Sequence, residues 1–255
     1  MLHKSWTHGS SADGLIHATD LEYDNRRFSF TWHHEYVDDT YNAEVGFIPR
    51  KGYWSFNPRV RYRFFPNSKK IVSHGPSMGS NNYWNTSLKL TDSETYIRYG
   101  LEFLNRSEAG VWISNDYVVL QSPFDPTNTD GDTLATGTGY HWNATGFFYE
   151  STRARLLTFD INTRFGGYFG GTRSNFSGEV SYRFQPFGSL SIDFSYNDIR
   201  MPEPYKSAAF WLVSPRLDVT FTNNIFLTTF LQYNQQKDNI NLNARFQWRY
   251  KPASD

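Results

Sequence analysis

The chain has 255 residues, enough for one large domain or two small ones, with 25 basic residues, 25 acidic residues and no cysteine. The charge balance provides no net field that would favour nucleic acid, so we expect no nucleic-acid partner. The absence of cysteine excludes disulfides, thiolate metal sites and cysteine nucleophiles. A transmembrane helix is also excluded, because no run of about 18 apolar residues occurs.

Apolar and polar residues alternate almost throughout the chain, which predicts an all-β fold. The aromatic content of 18% also favours strands. In chain order, strands are predicted over 14–23, 27–37, 53–65, 70–75, 82–90, 95–105, 138–150, 155–166, 174–184, 189–197, 207–221, 225–234 and 238–250. Pro58 predicts a bulge or an edge inside the third of these strands, because proline cannot donate to a sheet ladder.

The links between the predicted strands differ in length in an ordered way. Tight turns are predicted at 91–94, 151–154, 185–188 and 222–224, alternating with longer links at 106–137, 166–174, 197–206 and 234–237. Short turns at one end and long loops at the other are typical of an up-and-down outer-membrane barrel. A soluble sandwich or jelly roll shows the same alternation along its strands and remains the alternative.

The two parities of the strands predict two faces. We expect the apolar parity to meet lipid at Phe28, Phe30, Trp32, Phe246 and Trp248. We expect the polar parity to line a lumen at Arg59, Arg61, Arg63, Arg245 and Arg249. The arginines could select anionic solutes or charged glycans, or simply pair with acids of the lumen.

Two segments resemble one known family. The stretch NAEVGFIPRKGYWSFNPRVRYRFFP at 42–66 and the tail LQYNQQKDNINLNARFQWRYKPASD at 231–255 are similar to segments of the domain-of-unknown-function family 5916 of bacterial envelope proteins. The resemblance implies a C-terminal outer-membrane barrel that follows a carbohydrate-binding module. It also implies that this chain is trimmed at both ends, which would explain why its first residues lack a secretory signal.

Few residues suggest chemistry. The loop SPFDPTNTDGDT contains a weak calcium candidate, Asp125, Asn128, Asp130 and Asp132, although its spacing departs from that of an EF-hand. His33 and His34 are adjacent on a strand and point to opposite faces, so they cannot share a metal. No catalytic motif is present, and we expect no cofactor. Carboxylates from distant strands could still assemble into a glycoside-cleaving pair.

Taken together, the sequence predicts a bacterial outer-membrane domain. We expect one antiparallel up-and-down transmembrane β-barrel domain over 1–255, with about 12–14 strands and its closure left open. It would be the C-terminal portion of a larger barrel protein. The expected role is solute passage or surface carbohydrate handling without catalysis, with outer-membrane lipid, the barrel assembly machinery and glycans as partners. The alternatives are a soluble all-β carbohydrate-binding or structural module and a glycan-processing enzyme.

Overall fold

A computed structural model describes residues 2–5, 14–42 and 50–250 of the chain, with only the backbone described for residues 2–5. Residues 43–49 and 251–255, which carry parts of the two family-like segments, lie outside the described residues. No helix capable of crossing a bilayer occurs in the described ranges.

The described residues form strands joined by turns and loops. In chain order the strands are β1 (Leu2–Ser5), β2 (Gly14–Asp24), β3 (Phe28–Val37), β4 (Tyr53–Phe56), β5 (Arg59–Tyr62), β6 (Ile71–Asn85), β7 (Leu90–Phe103), β8 (Glu108–Val119), β9 (Gly139–Glu150), β10 (Leu157–Tyr168), β11 (Gly171–Phe184), β12 (Gly188–Arg200), β13 (Ala208–Thr222), β14 (Ile225–Asn234) and β15 (Asn239–Trp248).

All of these strands belong to one antiparallel sheet in which sequence neighbours are also spatial neighbours. β4 and β5 share one place between β3 and β6, so the sheet has 14 places. The all-β, antiparallel prediction is confirmed, and the number of places lies within the predicted range. None of the described strand pairings joins β1 to β15. That residues 1–255 form one domain stays a prediction.

The break between β4 and β5 falls at Pro58, where the sequence predicts a bulge or an edge. The neighbouring ladders continue across the break, because Asn57 donates its N–H to the His33 carbonyl and Ser80 donates to the Pro58 carbonyl. The irregularity expected from a missing N–H is therefore confined to two residues.

Three predicted boundaries are wrong. β8 lies inside the stretch assigned to one long link, residues 91–94 belong to β7, and residues 166–174 form a tight hairpin. That hairpin turns at Phe169 and Gly170, whose φ angles of 47° and 84° are both left-handed, as a two-residue turn requires. β6 is one strand where the sequence predicted two fragments, because His74 and Pro76 occupy positions on its apolar face and weaken the alternation.

The links place long loops mainly at one end of the sheet. We call the end that carries the links 38–52, 120–138 and 201–207 the loop end, and the opposite end, with no link longer than 63–70, the turn end. The predicted contrast between the two ends is therefore present, although the positions predicted for it at 91–94, 106–137 and 166–174 were wrong.

The strands place apolar side chains on one surface of the sheet, which we call the apolar face. Cross-strand register makes this surface continuous: Met78 faces Ile97, which in turn faces Ile113. Farther along, Phe159 faces Val180, which faces Ile192. The opposite surface, which we call the polar face, carries mainly charged residues, amides, hydroxyls and scattered aromatics.

The hydrophobic core of the described residues is small and lies towards the loop end. Only eight hydrophobic residues are buried, whereas 33 large hydrophobic side chains are exposed. The buried residues are Val37, Tyr41, Leu120, Leu134, Ala144, Ile199, Met201 and Phe210. The described residues therefore form a single-layered sheet with a cluster of buried hydrophobic residues near one end. They do not form two layers around a central core.

Candidate functional site

A row of acidic side chains crosses the polar face. Glu102 on β7 faces Glu108, which faces Glu150, and the pairing continues strand by strand to β12. We call this set the acidic row: Glu102, Glu108, Glu150, Asp160, Glu179 and Asp193. Residues directly opposite on one face of an antiparallel sheet have Cβ atoms about 4.5–5.5 Å apart, so six neighbouring strands present a continuous band of carboxylates.

Arginines compensate part of the acidic row. Arg153 Nη2 lies 2.8 Å from Glu150 Oε1, and Arg98 Nη2 lies 4.0 Å from Glu108 Oε2. Within the described residues, no arginine or lysine forms an ion pair with Asp160, Glu179 or Asp193. The part of the row on β10 to β12 is therefore the less neutralised part.

A groove of about 540 Å³ lies beside the middle of the acidic row. Its volume is in the range of small-molecule sites, which are commonly lined by aromatic side chains and a few convergent polar groups. We call it the central groove, and the lining residues used below are Tyr96, Arg98, Trp112, Phe148, Glu150 and Asp160.

Glycines on neighbouring strands make room for the aromatic side chains of the central groove. A Cβ on Gly146 would lie 2.8 Å from two carbons of the Trp112 indole, and a Cβ on Gly110 would lie 2.4 Å from Phe148 Cζ. Because Phe148 extends over Gly110, its ring also meets the Arg98 guanidinium, whose Cζ is 3.7 Å from the ring centroid. These rings are therefore held against the strands by close packing.

Two smaller grooves adjoin the central groove. One of about 330 Å³ shares Glu150, Arg153 and Asp160 with it and extends to Glu179. The other, of about 210 Å³, shares Arg98 with it. Together the three grooves extend across the polar face from Arg61 on β5 to Glu179 on β11, and they follow the acidic row from Glu102 to Glu179.

The predicted lumen arginines do not form one stripe. Arg59 and Arg61 are exposed on the polar face of β5, and Arg61 lines the smallest of the three grooves. Arg63 follows β5 and donates to the Asp24 carboxylate and the Asn25 carbonyl, each at 2.9 Å. Arg245 faces Thr228 on the polar face, whereas Arg249 follows β15 and stacks 5.1 Å from the centroid of the Phe226 ring. That they line a lumen stays a prediction.

The five predicted lipid-facing residues all lie on the apolar face. Phe28 faces Tyr62, and Phe30 faces Val60. Trp32 is 40% exposed, whereas Phe246 and Trp248 on β15 are 64% and 63% exposed. These positions agree with the predicted parity, and contact with lipid stays a prediction.

The long link 120–138, which we call the cap loop, is organised around Asp125. The Asp125 carboxylate accepts backbone N–H groups of Thr127, Thr129 and Gly131 at 2.9, 2.8 and 3.2 Å, and the Thr127 hydroxyl at 2.8 Å. Burial by itself raises the pKa of Asp125, but these hydrogen bonds outweigh it and lower the pKa from 3.8 to about 2.

The weak calcium candidate is not assembled as a cation cage. The Asp125 oxygens face N–H and O–H donors, and the Asp130 side chain is 91% exposed, 3.7 Å from Lys237 Nζ. In the described part of the chain, no three acidic or histidine side chains are grouped so that they could hold a metal ion. The sequence cluster of Asp125, Asn128, Asp130 and Asp132 therefore corresponds to a folded loop centred on one carboxylate.

The cap loop spans the loop end and packs on aromatic side chains. The Gln236 side-chain amide, in the link between β14 and β15, donates to the Thr127 carbonyl and, at 3.1 Å, to the Asn128 carbonyl. Beneath the loop, ring centroids 4.8–6.3 Å apart connect an aromatic cluster of Phe124, Tyr140, Trp142, Tyr168 and Phe169. Phe124 of the cap loop therefore packs on Phe169 in the β10–β11 turn, which itself packs on aromatic side chains of β9 and β10.

Two features of this site were not predicted. The acidic row depends on strand register, which no local pattern specifies, and Trp112 lies on a strand that the sequence placed inside a link. The β-branched and aromatic residues at 111–113 and 117–119 are the signal that could have identified β8.

Comparisons with known proteins give one match. The model of the family described as "Domain of unknown function (DUF5916)" matches residues 2–255. No curated protein and no solved structure matches the chain.

Proposed function

The chain belongs to the DUF5916 family, a domain of unknown function, and from its structure we propose that it is an outer-membrane β-barrel domain of a bacterium. In this proposal the apolar face meets lipid, and the polar face lines a hydrated lumen that passes or retains a solute at the cell surface. The domain binds its solute and catalyses no reaction. Outer-membrane lipid and the barrel assembly machinery are its expected partners.

The observation that carries this proposal is the apolar face itself. It extends across the sheet with exposed side chains such as Ile97 at 51%, Val111 at 58% and Leu242 at 69%. Soluble monomers rarely expose contiguous apolar patches larger than a few hundred Å². In a bilayer the same apolar side chains contact lipid acyl chains, while polar side chains face the interior of the barrel.

The strand lengths agree with this role. β6 to β13 have 12 to 15 residues each. A tilted transmembrane β-strand needs about 9–11 residues, so each of these strands is long enough to cross the hydrocarbon core and enter the headgroup region.

The test compares tryptophans on the two faces. Variants that retain only Trp248 or only Trp112 are reconstituted into bilayers that contain brominated acyl chains. We expect strong quenching of Trp248, which lies on the apolar face, and little quenching of Trp112, which lines the central groove. Equal quenching of the two residues, or a chain that stays monodisperse without detergent, would support the soluble module instead.

The acidic row gives one reason to test catalysis directly. Glycoside hydrolysis uses a pair of carboxylates, and here Glu150, Asp160 and Glu179 lie on adjacent strands beside a groove. Incubation with a panel of polysaccharides measures this activity. Hydrolysis that disappears in the Asp160→Asn variant would replace binding with processing as the function.

A further inference from the structure

We infer that the central groove binds an uncharged oligosaccharide. This inference rests on the proposed function and specifies the chemical class of its solute. The groove combines aromatic rings, carboxylates and an arginine on one surface. Sugar rings require this combination, because they present apolar C–H faces and hydroxyl edges at the same time.

The aromatic part of the groove is fixed in position. Trp112 lies against the backbone of β9 at Gly146, and Phe148 is held between Gly110 and the Arg98 guanidinium. The ring of Tyr96 similarly extends over Gly79, where an added Cβ would lie 2.5 Å from its hydroxyl oxygen. A ring that is already immobilised loses little conformational entropy when a ligand stacks on it.

The polar part of the groove offers hydrogen-bond acceptors and donors. Asp160 has no ion-pair partner in the described residues, so its carboxylate can accept ligand hydroxyls. Glu150 is held by Arg153 through two hydrogen bonds of 3.0 and 2.8 Å, which fix its position. Arg98 lies 4.0 Å from Glu108 and can donate N–H groups that this distant carboxylate leaves free.

The charges around the groove favour a ligand without charge. The acidic row continues beyond the groove to Glu179 and Asp193 and repels anions. Arg98 and Arg153 line the groove together with Glu94, Glu150 and Asp160, so the two guanidinium groups offset two of its three carboxylate charges and disfavour a cation. A hydroxyl group can donate a hydrogen bond to a carboxylate and accept one from a guanidinium group. A neutral sugar can therefore form hydrogen bonds with both kinds of side chain.

The shape of the site favours a chain over a single sugar. The central groove adjoins its two smaller neighbours, sharing Glu150 and Asp160 with one and Arg98 with the other. Ligand contacts can therefore extend along the acidic row across several strands, beyond the length of one sugar ring.

The experiment measures binding of three probes to the full chain in detergent micelles by isothermal titration calorimetry. The probes are cellohexaose, which is uncharged, hexagalacturonate, which is anionic, and fully deacetylated chitohexaose, which is cationic. We expect cellohexaose to bind and each charged probe to bind about tenfold more weakly or not at all, which corresponds to about 1.4 kcal/mol. Tightest binding by either charged probe, or no binding by any of the three, overturns the inference.

Two pairs of variants locate the site. Trp112→Leu removes the ring but keeps an apolar side chain, and we expect it to weaken cellohexaose binding about tenfold, a loss typical of one aromatic contact. Trp211→Leu, on the apolar face, is its control. Asp160→Asn is expected to weaken binding, whereas Asp218→Asn, on the polar face of β13, is not.

The outcomes separate the inference from the proposed function. Circular dichroism and heat-dependent gel mobility verify folding, and if Trp112→Leu does not fold, the Asp160→Asn pair decides. Equal affinity in the site and control variants contradicts the site. Sugar binding without lipid quenching of Trp248 would mean a soluble glycan-binding module, and quenching without sugar binding would leave the membrane proposal intact and end this inference.

Discussion

Glycines on the polar face determine where its aromatic side chains can lie. Gly110 and Gly100 face each other on β8 and β7, yet their surroundings differ. A Cβ on Gly110 would lie 2.4 Å from Phe148 and 2.5 Å from the Tyr99 carbonyl oxygen, whereas nothing lies within 4 Å of one on Gly100. The absence of a side chain at Gly110 therefore allows the ring of Phe148 to reach Arg98.

We predict that Gly110→Ala destabilises the protein and that Gly100→Ala does not. The first substitution forces Phe148 away from Arg98 and crowds the backbone of β7, an overpacking cost of about 1–3 kcal/mol. The second adds a methyl group in open space and replaces a glycine that weakens a strand. Urea unfolding in detergent, followed by circular dichroism, measures both, and equal unfolding midpoints would contradict the packing described for Gly110.

We predict that the cap loop loosens in acid. The pKa of Asp125 is lowered from 3.8 to about 2, so its charged form stabilises the folded loop above the unfolded value. This stabilisation is lost as the pH falls through the folded value of about 2. Asp125→Ala should mimic the acid state at pH 7, at a cost of about 1–3 kcal/mol to the loop, because three backbone N–H groups lose their acceptor.

Proteolysis of the cap loop measures this effect, since the strands are protected by the sheet. At pH 7 we expect faster cleavage between 120 and 138 in Asp125→Ala than in Asp132→Ala, a matched change at an exposed acid of the same loop. At pH 2, where pepsin is active, the unmodified chain should be cleaved there as well. An unchanged cleavage rate in Asp125→Ala would show that the carboxylate does not organise the loop.

At the scale of elements, the cap loop is joined to the distant β14–β15 hairpin by hydrogen bonds from Gln236 and by the exposed pair of Lys237 with Asp130. Gln236 meets the carbonyls of Thr127 and Asn128 across the loop end. We predict that Gln236→Ala increases hydrogen exchange in 124–134 while the strands are unaffected. Gln232→Ala, on β14, is the matched control. Equal exchange in both variants would mean that the Gln236 hydrogen bonds do not hold the loop.

Strand identity was predictable where alternation was strong and failed where side chains break it. The pattern over 225–234 and 174–184 gave strands close to β14 and β11, because β-branched and aromatic residues are frequent there and large apolar residues recur on one parity. β6 was divided because His74 and Pro76 interrupt its apolar parity, and β8 was missed because Asn115 interrupts its apolar parity.

The candidate site was harder to predict than the strands. The apolar positions Phe246 and Trp248 follow from parity alone, which is a property of one strand. The acidic row requires the register of six strands, and a shift of one residue in the β9–β10 pairing alone would separate Glu150 from Asp160. Local sequence therefore specifies the two faces, and long-range pairing specifies the site.

At the scale of the whole molecule, the two faces should respond oppositely to charge. Val180 on the apolar face and Ser181 on the polar face are neighbours on β11. We predict that Val180→Arg lowers folding into lipid vesicles, at a cost of about 2–4 kcal/mol near the bilayer midplane and less towards its margins. Ser181→Arg should fold with nearly unchanged yield. Gel mobility with and without heating gives the folded fraction, and similar yields would argue against lipid contact.

The order of the strands has a mechanical consequence. Each strand from β7 to β14 pairs only with the strand before it and the strand after it, and among the described pairings β15 is held by one ladder alone. A molecule pulled at its carboxyl end should therefore unzip hairpin by hairpin, with β15 and β14 released first. The force trace would then be a staircase whose steps correspond to successive hairpins, and the step that frees β9 should be delayed by the hydrogen bonds of the loop that precedes it.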